Sequence, residues 1–125
     1  MEKKLVIPLR DALTGPMGDG MGTFRIFIDE EICGSKSFSF LVNTMNKGKK
    51  GPVHTHDTES CFYILSGKGI VRIKDESFAV SPQTAVFVPK DALHKIEADP
   101  GEDLTYIMIY APPGPEKQLR NKSMA

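Results

Sequence analysis

From Thr23 onward the chain is a succession of short runs rich in Val, Ile, Phe and Tyr, each closed by a turn, and this rhythm restricts the fold more than any other feature. The runs lie at 23–28, 37–45, 61–65, 69–73, 78–80, 84–88, 93–96 and 104–110, with turns such as Ser66-Gly67, Lys74-Asp75-Glu76 and Ser81-Pro82 between them. Eight strands at this spacing imply an all-β sandwich or barrel. Ahead of them, 5–9 is a short apolar run, and 14–22 (TGPMGDGMG) carries glycines and a proline that argue against regular structure. The tail APPGPEKQLRNKSMA is proline-rich and reads as an extended wrap with one helical turn at 116–120. The chain therefore divides into an N-terminal strand and Gly/Pro-rich arm (1–22), a barrel (23–112) and a C-terminal tail (113–125). At 125 residues it is one domain, able to bury a core without disulfide or metal staples.

The chemistry is concentrated in GKKGPVHTHDTESCFYILSG, residues 48–67. Strand side chains alternate faces, so His54 and His56 project the same way, about 7 Å apart along the backbone. A single metal ion fits between them. The third histidine, His94, stands in VPKDALHKI, another β-like run. A lone histidine is usually a surface or hydrogen-bonded core residue, whereas His-x-His ahead of a strand matches the commonest metal-ligand type at a useful spacing.

Other function classes find little support. Sixteen basic residues balance sixteen acidic ones, and no basic cluster exceeds Lys47, Lys49 and Lys50, which read as a solvated loop, so no nucleic-acid partner is expected. No apolar run approaches the length of about 20 residues that spans a bilayer, and MEKKLVIPLR lacks a signal-peptide apolar stretch. The expected location is the cytoplasm. Cys33 and Cys61 form no CxxC pair and read as reduced, structural residues.

Gly48, His54-Thr55-His56 and Gly67 resemble the first motif of the cupins, G-x5-H-x-H-x3,4-E-x6-G, and 86–94 (VFVPKDALH) resembles the second, G-x5-P-x-G-x2-H-x3-N. The resemblance, covering roughly 37–112, implies a jelly-roll, or double-stranded β-helix, barrel of two antiparallel sheets, with one divalent metal held inside by His54, His56 and His94. The chain departs from the motifs at several places. Ser60 stands where the glutamate ligand belongs. Glu59 is one residue early and by strand parity points to the opposite face. Gln83 and Asp91 replace motif glycines and Ala98 the terminal asparagine, changes that touch turns more than ligands, since aspartate tolerates left-handed backbone.

Three histidines with open positions make a catalytic kind of coordination rather than a closed structural zinc site. Iron, zinc, manganese, nickel and copper all accept imidazole, so the metal stays open. The residues read as facing the pocket are Ser60, Phe62, Phe38, Phe40, Tyr106, Met108 and Tyr110, although each aromatic alone is ordinary core material. Arg72, between Val71 and Ile73, is solvated if its apolar neighbours face the core, and otherwise anchors a substrate carboxylate. The expected function is metal-dependent action on a small organic molecule, as a dioxygenase or a Lewis-acid isomerase, lyase or decarboxylase, with a non-catalytic binding or sensing barrel as the alternative. Segment 104–110 (LTYIMIY) is apolar on both faces, which calls for a covered outer face and hence a homodimer, with 5–9 pairing at an exposed strand edge of its own chain or of the partner chain.

Overall fold

The computed structural model describes residues 3–124, which form nine strands in two antiparallel sheets. The strands are β1 (Leu13–Met17), β2 (Gly22–Ile28), β3 (Ser39–Met45), β4 (Glu59–Ser66), β5 (Gly69–Ile73), β6 (Glu76–Val80), β7 (Ala85–Val88), β8 (His94–Ala98) and β9 (Leu104–Ala111). The larger sheet runs β1-β2-β3-β9-β4-β7 and the smaller β6-β5-β8. Phe24, Ile26, Leu41, Phe62, Ile64, Val71 and Leu104 are almost completely buried, and each contributes about 1.5–3 kcal/mol of transfer free energy to the closure. A short helix α1 (Glu30–Cys33) and a terminal helix α2 (Glu116–Met124) complete the chain. Among the described residues no helix is long and apolar enough to cross a membrane. Cys33 and Cys61 are free and half-buried.

Four expectations about the fold need correction. Segment 14–22 is not an irregular arm. Leu13–Met17 pairs with β2 in continuous register, Leu13 opposite Ile26 and Met17 opposite Gly22, and the glycines that argued against a strand make the turn, Gly18 and Gly20 lying at φ +56° and +66°. Segment 5–9 pairs with no strand edge of its own chain: Leu5 and Val6 are almost fully exposed, and Leu9–Asp11 is a single 3₁₀ turn. The third correction concerns β3, where Ser39, Leu41, Asn43 and Met45 face inward, while Phe40 and Val42 lie half-buried on the outer face and Phe38 is exposed. Both faces of this strand carry large apolar groups, so size and hydropathy do not identify the inner one. Phe40 packs edge-on against Phe27, ring centroids 6.3 Å apart, outside the barrel.

The tail also holds more structure than one turn. Helix α2 spans nine residues and is fastened to α1 through Asp29. One Asp29 oxygen caps α1 by accepting the Ile32 N–H at 2.8 Å, and the other accepts from Arg120 of α2 at 2.6 and 3.1 Å. Arg120 also reaches Glu31 at 2.7 Å. A buried carboxylate serving an N-cap and a two-pronged guanidinium at once ties the C-terminal helix to the junction between β2 and α1.

Candidate metal centre

The site begins with the backbone. His54 and His94 form an isolated antiparallel bridge in which each N–H donates to the other's carbonyl at 3.0 Å, so their side chains leave the same side of the ladder as neighbours. His56 follows two residues on and returns to that side. The segment carrying His56 is pinned by a turn: Asp91 takes a left-handed conformation, φ +65°, and its N–H donates to the His56 carbonyl at 2.8 Å. Gln83, at the other motif-glycine position, is likewise left-handed at φ +67°. The substitutions thus keep the glycine backbone shape without glycine. At Gly67 no such exchange is available, because a Cβ there would collide with the Asp103 carbonyl.

The three rings converge. Centroids are 4.2 Å apart for His54 and His94, 4.7 Å for His54 and His56, and 5.2 Å for His56 and His94, and one nitrogen of each lies within 4.8 Å of the others. The Nδ1 of His54 lies 2.8 Å from the Pro52 carbonyl, and that of His94 lies 2.9 Å from the Ala92 carbonyl. A carbonyl can only accept, so both Nδ1 atoms carry the proton, and in the neutral form of each ring Nε2 is the nitrogen with the bare lone pair. Burial, followed by the neighbouring His54 and His94, pushes His56 down to about 4. Burial likewise lowers His94, against the opposing Ala92 carbonyl. Neutral imidazoles with fixed tautomers are the form a divalent ion requires, and this donor set fits one.

The cluster opens onto a cavity of about 490 Å³. Asn43, Tyr106 and Tyr110 line it beside His54 and His56, Met45, Met108 and Ile96 add apolar wall, and the rim is built from Met17 and Met21 of the β1–β2 hairpin and Leu119 of α2. Tyr110 meets the His56 ring edge-on at 5.2 Å. Burial pushes the Tyr106 hydroxyl up to about 12, against the Asn43 amide, and raises Tyr110 further, with Tyr106 and Glu116 adding to burial. Both therefore stay protonated at neutral pH.

Tyr106, Met108 and Tyr110 line the cavity as read from the sequence. Phe62 faces inward but packs in the core against Tyr106, 5.7 Å between centroids, away from the cavity lining. Ser60 is inward and buried between Tyr110 and Val88 in the ladder, its hydroxyl without a partner, and Glu59 is exposed on the opposite face. Phe38 and Phe40 are outside the barrel. Arg72 is exposed on β5, 3.7 Å from Glu97, so it anchors nothing in the cavity. Sequence reasoning missed Asn43 through the inverted parity of β3, and missed the rim because β1 and most of α2 were read as irregular. Asn43 shares its parity with Leu41 and Met45, the one signal that would have exposed it.

Two antiparallel sheets closed over a histidine triad define a jelly-roll barrel with an internal metal-binding geometry. A Cupin domain family model matches residues 41–110, more than half of the chain, and the chain belongs to that family. An RmlC-like cupin from Shewanella frigidimarina superposes with a TM-score of 0.78 at 16% identity, covering 94% of this chain and 99% of that one. The polyketide cyclase RemF from Streptomyces resistomycificus gives 0.74 at 22% identity over 92% and 82% of the two chains. In sequence, an uncharacterized protein of Methanocaldococcus jannaschii, MJ1618, is 37% identical over 51 residues, 40% of this chain and 41% of that protein. The chain spans less than half the length of the curated relatives it matches.

Proposed function

We propose that this cupin binds one divalent transition metal through His54, His56 and His94 and acts as an enzyme on a small organic molecule in the adjoining cavity. The observation that carries the reading is the convergence of three imidazoles, two with Nδ1 held by a backbone carbonyl, beside a solvent-open cavity that His54 and His56 line. When bound, such an ion supplies Lewis acidity or, if redox-active, one-electron chemistry. The protein's own contributions are positional. Carbonyls of Pro52 and Ala92 hold the Nδ1 protons of His54 and His94, the thioether and aliphatic walls give the cavity an apolar lining, and Tyr106 and Tyr110 keep hydroxyl protons available for hydrogen bonding.

None of the residues lining the cavity is Asp, Glu, Lys or Arg. That composition leaves no side chain of ordinary carboxylate or amine basicity to shuttle protons, so polarisation falls to the metal, as in a dioxygenase or a Lewis-acid isomerase, lyase or decarboxylase. The same composition favours the second reading, a barrel that binds its ligand without transforming it. RemF, a polyketide cyclase, shares the fold and supports catalysis on a small organic molecule as the first choice.

The test is elemental analysis of purified protein, then reconstitution of metal-depleted protein with iron, zinc, manganese, nickel and copper in turn. One equivalent of metal, lost in His54→Ala/His56→Ala, is expected, with turnover of a small substrate by at least one loaded form. Protein that takes up no metal would overturn the reading. Metal uptake with ligand binding and no turnover would select the non-catalytic alternative.

A further inference from the structure

We propose that the cavity selects a compact, largely apolar molecule with a single oxygen function at the histidine end and a hydroxyl that pairs with Asn43. The inference rests on the metal-site reading and deepens it. Asn43 is 3% exposed, lines the cavity, and has an Oδ1 with no hydrogen-bond partner. It lies directly across the ladder from Tyr106, whose hydroxyl its amide faces. Buried amide oxygens are almost always paired, so this one is an acceptor held ready for a group that arrives with the ligand. A hydroxyl suits it because it donates to the oxygen or, with the amide turned, accepts from the nitrogen.

The walls define the rest of the molecule. Met17, Met21, Met45 and Met108 present flexible, polarisable thioethers that mould to an irregular apolar body. With no charged side chain in the lining, a second ionised group on the ligand would lose its hydration and meet no counter-charge. A cavity near 490 Å³ holds a molecule of one or two rings. Polyanions and phosphorylated sugars are excluded on charge.

The experiment titrates zinc-loaded full-length protein by calorimetry with benzoate, 3- and 4-hydroxybenzoate, and isophthalate, which share a ring and a metal-seeking carboxylate and differ at one substituent. The better hydroxybenzoate is expected to bind about fivefold tighter than benzoate. Isophthalate should be at least about tenfold weaker than benzoate. In Asn43→Leu the hydroxyl advantage should fall to about one, a ratio insensitive to the fraction of folded protein. Isophthalate binding as tightly as benzoate, a hydroxyl advantage that survives Asn43→Leu, or zinc-loaded protein that binds none of the four would each overturn the inference. The isophthalate comparison uses wild-type protein alone and stands even if the variant does not fold. Failure to take up zinc is a separate result and strikes the metal-site reading instead.

Discussion

His54 and His94, forty residues apart in sequence, are locked together by a reciprocal pair of backbone hydrogen bonds of 3.0 Å each. The approach of these two candidate ligands is thus set by main-chain geometry, which side-chain substitutions leave intact. Replacing His54, His56 or His94 by Ala should remove most of the bound metal while lowering stability only modestly, because the core is separate from the triad. Metal content by elemental analysis, read beside the melting temperature, checks this. Full occupancy in His54→Ala/His56→Ala would show that these rings are not the ligands.

The pH dependence of the metal-free protein follows from the lowered histidines. An unfolded imidazole titrates near 6.5, whereas His56 in the fold titrates at about 4 and His94 is shifted in the same direction. Between those values the unfolded chain binds more protons, so folding stability is fully present above about pH 6.5 and is lost as pH falls toward 4. Thermal melts of metal-free wild type should decline across that window. His56→Gln should flatten part of the decline, and a profile as steep as wild type would remove His56 as its source.

Ser60 offers a direct test of the site's charge. Its unpartnered hydroxyl points inward beside Tyr110, so Ser60→Ala should cost nothing and raise stability by about 1 kcal/mol in urea denaturation. Ser60→Glu places a carboxylate on the same face and should tighten metal binding by about tenfold or more, since an anionic oxygen adds Coulomb attraction in a low-dielectric interior. Calorimetric titration of both proteins with zinc decides it. Equal affinities would mean that this position does not reach the ion.

The left-handed residues predict opposite effects at two turns. Gln83→Gly removes a side chain from a conformation L-residues resist, and should stabilise by about 0.5–1 kcal/mol after the entropic cost of glycine. Asp91→Val puts a β-branched residue at φ +65° and should destabilise by about 1–2 kcal/mol. It should also weaken metal binding by loosening the hydrogen bond to the His56 carbonyl. Denaturation midpoints and zinc affinity report the two effects separately.

The outer face of the larger sheet carries Phe40, Ile109, Cys61 and Phe87 in adjacent register, with Phe87 more than half exposed. We expect a second copy of the chain to cover this face, giving a homodimer by light scattering at high micromolar concentration. Phe87→Asp should shift it toward monomer. A wild-type monomer under those conditions would contradict the expectation.

The barrel and the histidine triad were legible because both rest on period-two alternation and on spacings inside short segments. Eight of the nine strands appear in the sequence as β-branched and aromatic runs, and His54, His56 and His94 sit in or beside them. What escaped depended on tertiary context. Alternation fixes the two sets of β3 residues but not which set is inside, and with Phe38, Phe40 and Val42 on one set and Leu41 and Met45 on the other, hydropathy favours the wrong one. Strand β1 was hidden by Gly15 and Pro16, residues a strand accepts at the edge of a sheet, which is where β1 lies.

The rim of the cavity comes from the two ends of the chain, Met17 and Met21 on one side and Leu119 on the other, while the family match, 41–110, contains the histidines and neither end. The portion the family model describes is therefore the part with the histidines that can grip an ion, and the doorway lies outside it. On this division, the histidine-bearing middle need not carry a ligand preference with it. Two such barrels with identical histidines can discriminate between different guests by exchanging a hairpin and a helix, and grafting those two segments onto a relative would transplant selectivity while leaving the grip untouched.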